Sequence, residues 1–455
     1  MTDVLIVGAG SAGSILAERL SGDPRCFVTV LESGPGFDDP TRADLLADPT
    51  AMPIEPDSPL ARHFTASLTV QPEHRAGIVG GRGVGGSGAI NGGYFCPEPA
   101  GADGELPGWS DAVIARTHRA IAARIPAHPV AQYCSPTSAF IEAAERAGYR
   151  WLAGLDCEGT GLAPVPLNIA QGTRRDPGAV FLAPALSRSN LVVHPYTSAL
   201  RIRIRRGRAV GVEAVGPRGW RYVPADRVIL TAGAICTARL LLVSGIGPAA
   251  QSRRLGLPVF ADLPVGQRCW DHPEWLLAAP WSGVQRRPVL EAVLVTPTLE
   301  VRPYTRGFGA PGPMVAVTLT RPEGNGTVAL MTPDPLGPLD IQFRYDRHPG
   351  DVAGLRAGTH LIRTMIGADE PVWSTSQHLC GSAPMGFDSD ADAVLDTRCR
   401  VRGIGGLWVL DGSVLARIPR RGPHATIAMI AYRGADLVAG RDPGLSADQP
   451  ESEGV

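Results

Sequence analysis

Gly8, Gly10 and Gly13 stand in the run Gly8-Ala-Gly10-Ser11-Ala12-Gly13, directly after the apolar stretch Val4-Leu-Ile-Val7. Ser14 to Leu20 then has helical spacing, and Phe27-Val-Thr-Val-Leu31 leads into Glu32. The order is strand, glycine turn, helix, strand, acid. Gly8 suits the tight turn, Gly10 leaves room for a pyrophosphate against the backbone, and Gly13 lets the helix pack closely on the strand. The helix start offers free N–H groups and a partial positive charge to phosphates. Glu32, 19 residues after Gly13, is placed to accept hydrogen bonds from ribose hydroxyls and would repel a 2′-phosphate. The set predicts a dinucleotide site. It does not separate FAD from NAD, and a plain glycine turn in a βαβ unit is the bland alternative.

A second glycine cluster follows, with nine glycines between Gly77 and Gly93. Apolar residues, Arg82, Ser87 and Asn91 are interleaved with them. That predicts a backbone pressed against a flat ligand. Here the sequence resembles the glucose–methanol–choline (GMC) family of flavin oxidoreductases. Its first signature is similar to Gly81-Arg-Gly-Val-Gly-Gly-Ser-Gly-Ala-Ile-Asn91-Gly92, and its second to Gly233-Ala-Ile-Cys-Thr-Ala-Arg-Leu-Leu-Leu-Val-Ser-Gly-Ile-Gly247. Asp262-Leu-Pro-Val-Gly-Gln, Asp271-His272, Gly406-Leu-Trp-Val-Leu-Asp411-Gly412-Ser413 and Pro423-His424-Ala-Thr-Ile complete the pattern. The likeness covers about 1–100, 190–275 and 376–440 and fades between these segments.

The resemblance implies FAD as the cofactor. It carries over Gly8, Gly10, Ser11, Ala12, Gly13, Glu32, Arg82, Gly85, Gly86, Ser87, Asn91, Gly92, Arg201, Ala232, Gly233, Asp411, Gly412, His424, Ala425 and Thr426 as cofactor-binding positions. Some members link a histidine of the first signature covalently to the flavin. The matching residue is Ile90, so FAD bound without a covalent bond is expected. The resemblance also pairs His378 and His424, which lie 46 residues apart, over the reactive face of the flavin. Alcohol oxidation needs a base for the hydroxyl proton while the carbon gives a hydride to flavin N5. Histidine titrates in the right range. His378 is favoured as base and His424 as positioning partner.

The other histidines read differently. His63, His74, His118, His128, His348 and His360 sit among polar or loop residues and read as solvated. His194 closes a strand, and His272 in Asp-His-Pro reads as buried and structural or cofactor-adjacent. No HExxH, no CxxC and no Cys/His cluster suggests a metal site.

Several elements must position these groups. The 455 residues, with 55 glycines, 42 prolines and 44% hydrophobic residues, allow more than one lobe and a large core. The expected fold is α/β with an α+β second lobe. A Rossmann-like FAD-binding domain is assembled from segments 1–100, 181–280 and 378–441. A lid and substrate-domain contribution falls in 101–180, an antiparallel-sheet substrate domain in 281–377, and a disordered tail in 442–455. Asn190–His194, Ser198–Arg205 and Arg208–Val215 read as strands around an Arg-Gly turn, with Arg201, Arg203 and Arg205 on a solvent-facing side. Val289–Val295, Leu299–Pro303, Met314–Leu319 and Gly326–Leu330 read as one antiparallel sheet, followed by a helix near Asp351–Ile366. A last helix runs from Thr426 to Val438, its start aimed at the flavin.

The formal net charge of −1 gives no general attraction to nucleic acid or anionic lipid. All 43 basic residues are arginine, which reads as codon bias. No apolar run is long enough for a transmembrane helix, the N-terminus lacks a signal-peptide pattern, and the eight scattered cysteines read as reduced. The expected location is cytoplasmic, with peripheral contact to the inner face of the membrane allowed. Gly92–Cys96, Asp271–Trp275, Trp373–Cys380 and Arg421–His424 resemble the GMC proteins of mycofactocin systems. That implies a dehydrogenase reoxidising mycofactocinol and passing electrons toward the respiratory chain or a quinone. The alternatives are a simple primary-alcohol or choline-type oxidase or dehydrogenase, and a GMC-fold hydroxynitrile lyase.

Overall fold

A computed structural model describes residues 2–98, 106–282, 287–308 and 312–441. The expected tail of 442–455 lies outside these residues. A five-stranded parallel sheet is built in the order Leu407–Val409, Arg227–Leu230, Val4–Val7, Val28–Leu31, Leu191–His194. Val4–Val7 is central and pairs in register with both neighbours, Val4 opposite Arg227 on one side and Val28 on the other. Every residue of Val4–Val7 and Val28–Leu31 is buried, which is why these runs are continuously apolar. Helices Ser11–Leu20 and His424–Val438 pack on each other beside this sheet. Arg19 joins them through Asp436 at 2.7 Å and the Tyr432 ring.

The Arg-Gly turn closes as expected. Arg206 and Gly207 both have positive φ, at 49° and 72°, the geometry of a two-residue hairpin turn. It joins Ser198–Arg205 to Arg208–Gly216, and Gly219–Pro224 completes a three-stranded sheet. Arg203 and Arg205 are exposed, but Arg201 is half-buried. The Arg201 guanidinium donates to the carbonyls of Val243 and Pro333 at 2.6 and 2.8 Å.

The second lobe is a six-stranded antiparallel sheet in the order Val372–Thr375, Pro273–Ala278, Met314–Leu319, Leu299–Tyr304, Ala292–Val295, Gly161–Pro164. Helices Ser135–Arg146 and Pro349–Ile366 cover it, with Phe140, Leu355 and Ile362 in a shared core with Val301, Val315 and Val317. Two expectations change here. Thr327–Leu330 leaves this sheet and instead joins Leu339–Gln342 and the hairpin Ala61–Val70/Glu73–Gly81 in a separate four-stranded sheet. Pro273–Ala278, placed by sequence in a nucleotide-binding segment, is a strand of the six-stranded sheet. Thr327–Leu330 pairs with the nearby Leu339–Gln342, whose Gln342 joins the distant Ser67, and Pro273–Ala278 pairs with Met314–Leu319 and Val372–Thr375; local periodicity encodes neither choice of sheet.

His118 also departs from its reading as solvated. It lies on helix Asp111–Ala122, its Nε2 is buried without a partner, and burial pushes its pKa down to about 4.

Candidate active site

A cavity of about 860 Å³ lies between the parallel sheet, the four-stranded sheet and the six-stranded sheet. It brings together Gly8, Gly10, Ser11, Ala12, Glu32, Gly86, Ser87, Asn91, Gly92, Ala232, Gly233, Asp411, Gly412, His378 and His424 from the expected set. Gly13, Arg82, Gly85, Arg201, Ala425 and Thr426 are not among its lining residues. Each of these, except the two short residues that follow His424 on its helix, has other work. A Cβ on Gly13 would sit 1.9 Å from the Gly8 carbonyl oxygen, so Gly13 serves helix-on-strand packing. Arg82 donates to the Ser33 carbonyl at 3.1 Å. A Cβ on Gly85 would meet Asp176 Oδ1 at 2.6 Å.

The glycines are thus required by protein against protein as well as by any ligand. A Cβ on Gly81 would fall 2.1 Å from the Gly86–Ser87 backbone. Glu32 shows the same double duty. It lines the cavity, yet Oε2 accepts from Ala9 N at 2.8 Å, and Oε1 from Gly34 N and Gly83 N, both at 2.9 Å. One carboxylate ties three loops at the edge of the ribose site the motif predicted. Asp411 does likewise, with Oδ2 accepting from Gly233 N and Thr237 Oγ1 and Oδ1 from Ser413 N.

The residues present fit FAD. Helices Ser11–Leu20, Ala234–Val243 and His424–Val438 begin at the cavity wall, and none has an acidic residue in its first turn. Their unpaired N–H groups and dipoles favour an anionic ligand there. Ile90 lines the same cavity and packs with Leu60 and Ala89.

His424 is held at both ring nitrogens. Asn91 Oδ1 accepts from Gly93 N at 2.9 Å and from Arg174 Nη1 at 3.0 Å, so the Asn91 amide N–H donates to His424 Nδ1, 3.2 Å away. A neutral imidazole then carries its proton on Nε2. That Nε2–H faces Ser11 Oγ at 3.1 Å, and the ring packs edge-on against Phe95 at 5.0 Å. Burial, and next the Arg174 charge, push His424 down to about 4, so it is neutral at pH 7.

His378 follows strand Val372–Thr375 of the six-stranded sheet. That strand pairs with Pro273–Ala278, Thr375 opposite Pro273, and the pairing continues at Trp270 with Cys380. The register sets His272 beside His378, Nδ1 to Nδ1 at 2.9 Å. Asp271 Oδ1 accepts the His378 backbone N–H at 2.8 Å. Burial first, then the neighbouring His272 ring and the Arg302 charge, hold His378 well below the ordinary histidine range. His378 Nε2 lies on the side of Gly422 and Tyr94.

Sequence reading missed the polar wall that faces these histidines. Glu300, Arg302 and Tyr304 alternate along one strand, and Glu274 and Ser376 stand across from it. Glu274 Oε2 accepts from Arg302 Nη1, Tyr304 OH, Thr318 Oγ1 and Ser376 Oγ at 3.0–3.4 Å. Glu300 pairs with Arg302 at 2.7 Å and with Arg421 at 3.2 Å. Burial alone would raise the Glu300 carboxyl, but Arg302 and Arg421 outweigh it and hold it below its usual value. The available signal was the period-two alternation Glu300-Val-Arg302-Pro-Tyr304. It resembles a solvated strand face, and only the fold turns that face inward.

A parallel sheet meeting a histidine-lined cavity at several helix N-termini defines an oxidoreductase of the nucleotide-cofactor class. Family models described as GMC oxidoreductase match residues 2–274 and 322–431. The chain belongs to the GMC oxidoreductase family, whose flavoproteins bind FAD and act on alcohol-type substrates. It is 36% identical to a GMC-type oxidoreductase of Rhodococcus erythropolis across 96% of this chain and 98% of that one. It is 27% identical to an oxygen-dependent choline dehydrogenase of Photobacterium profundum across 98% and 94%. The fold matches pyridoxine 4-oxidase from Mesorbium loti with a TM-score of 0.85 at 23% identity, covering 97% of this chain and all 100% of that one.

Proposed function

We propose that this protein oxidises an alcohol carbon, with His378 accepting the hydroxyl proton at Nε2 and His424 donating a hydrogen bond from Nε2–H. The convergence of both imidazoles on the cavity that fits the cofactor supports this reading. Asn91 leaves the His424 proton on Nε2, beside Ser11 Oγ at the cavity wall. When bound, FAD supplies the acceptor for the two electrons and the hydrogen that leave the carbon. The chain's own part is to bind and orient. His378 strips the hydroxyl proton, and burial keeps its lone pair free at neutral pH. His424 stabilises negative charge as it develops, in a site screened from water. The helix starts at Ser11, Ala234 and His424 hold the anionic portion of the cofactor. FAD is proposed to be non-covalent, because the position matching the covalent histidine is the apolar Ile90.

Within this class we favour a dehydrogenase whose donor is mycofactocinol and whose acceptor is a quinone or another respiratory-chain carrier. The four segments around Gly92, Asp271, Trp373 and Arg421 support it. A choline-type activity is the second reading, prompted by the relatives named choline dehydrogenase. Against it, the Glu274 carboxylate is already saturated by four donors, one of them a guanidinium, and offers little to a quaternary ammonium. Anaerobic reduction of the bound flavin by primary alcohols, choline, sugars and mycofactocinol tests both. Bleaching by mycofactocinol alone supports the favoured donor, and bleaching by choline selects the other. No bleaching by any alcohol would sink the oxidation reading and restore the lyase.

A further inference from the structure

We propose that His272 is a positioning residue that locks His378 in the tautomer whose Nε2 carries the lone pair. The inference rests on the reading of His378 as the base. His272 is fully buried, and its Nε2 lies 2.9 Å from the carbonyl oxygen of Pro419. A carbonyl oxygen only accepts, so His272 Nε2 carries the proton. In a neutral imidazole the other nitrogen is then a bare acceptor. His272 Nδ1 therefore accepts, and the proton in its 2.9 Å contact with His378 belongs to His378 Nδ1. With Nδ1 protonated, neutral His378 has its lone pair on Nε2.

Three further observations support the lock. Burial pushes His272 down to about 3 and His378 well below its usual value, so neither ring takes the second proton that would erase the distinction. The rings meet edge-on, at 85° with centroids 5.2 Å apart, with their Nδ1 atoms turned toward each other. The His378 backbone is tied separately, by Asp271 Oδ1, so the Pro419–His272 chain bears on the ring alone. The device is a relay of orientation. Its proton positions are set by main-chain carbonyls, that of Pro419 at His272 Nε2 foremost, and no proton needs to travel along it.

The test is a long-range 1H–15N spectrum of the FAD-loaded protein labelled with 15N-histidine, His378 being assigned by the resonances that vanish in His378→Gln. The expected spectrum has Nδ1 protonated and Nε2 bare. A protonated Nε2 on His378 overturns the proposal. In His272→Leu the acceptor is gone, and a mixture of tautomers is expected. Flavin reduction by mycofactocinol should then slow about 10- to 100-fold, because a base in the wrong tautomer cannot take the proton. His272→Gln keeps a donor for Pro419 and an acceptor for His378, so it should restore the single tautomer and recover rate relative to His272→Leu. An unchanged His378 tautomer in His272→Leu would also overturn the proposal. If that variant does not fold, the wild-type and His272→Gln spectra still decide. The spectrum needs no substrate, so its failure is separable from failure of the alcohol-oxidising reading.

Discussion

At the scale of single residues, the proposed mechanism gives two histidines opposite jobs through their neighbours. Asn91 donates to one ring and His272 accepts from the other. A base works unprotonated, and burial holds His378 well below the ordinary range. The rate of flavin reduction should therefore rise with pH through that lowered value and be flat by about pH 6.5. An acid limb centred above this in stopped-flow traces would mean a solvated, charged base. His378→Ala should leave FAD bound and slow reduction by about 10² or more. The polar wall gives a stability prediction. Arg302 is 2% exposed between Glu300 and Glu274. Arg302→Met leaves Glu274 with neutral donors alone and Glu300 with Arg421 and Tyr94, and a loss of about 3 kcal/mol is expected in urea unfolding. An unchanged midpoint would show the network to be wet.

At the scale of elements, close backbone approach matters as much as helix or strand propensity. A Cβ on Gly88 would fall 2.4 Å from Ser11 Oγ and 2.8 Å from His424 Nε2. Gly88→Ala should push that pair apart, lowering the ratio of flavin to protein absorbance in the purified protein and slowing reduction about tenfold. Retained flavin at the normal rate would show that the loop yields freely. Helix Asp111–Ala122 carries a different liability in His118. Its pKa falls on folding to about 4, so the unfolded chain takes up the proton first and stability is lost as pH drops from about 6.5 toward 4. His118→Met removes both the orphaned nitrogen and that titration. Its melting temperature should match or exceed that of the parent at pH 7, with the gap widening at pH 5. A constant gap would place the His118 ring in water.

At the scale of the whole molecule, the cofactor cavity is lined from three sheets, so its ligand must add to global stability. FAD at a hundred times its Kd would contribute about 2.7 kcal/mol, seen as a higher melting temperature that is lost on flavin removal and regained on addition. Acid or heat precipitation should leave the yellow colour in the supernatant. Colour retained in the pellet would contradict non-covalent binding.

The parts of this architecture that local sequence specifies were legible. Strand Val4–Val7, its glycine turn, helix Ser11–Leu20 and Glu32 form one short-range unit whose spacing is fixed by the geometry of a single βαβ turn. Helix His424–Val438 and the Arg206-Gly207 hairpin were legible for the same reason. Arg201 was misplaced because a strand alternates faces without saying what lies on each. Thr327–Leu330 was assigned to the wrong sheet because its near neighbour Leu339–Gln342 is joined, through Gln342 opposite Ser67, to a hairpin hundreds of residues away. The sequence by itself determined a dinucleotide fold, its family and a histidine pair, His378 and His424, that the structure brings to one cavity. Only the tertiary structure decided which groups each imidazole nitrogen meets, and that the Glu300, Arg302 and Tyr304 face is buried. Both depend on contacts between segments far apart in the chain: Asn91 against His424, Pro419 against His272, and His272 against His378.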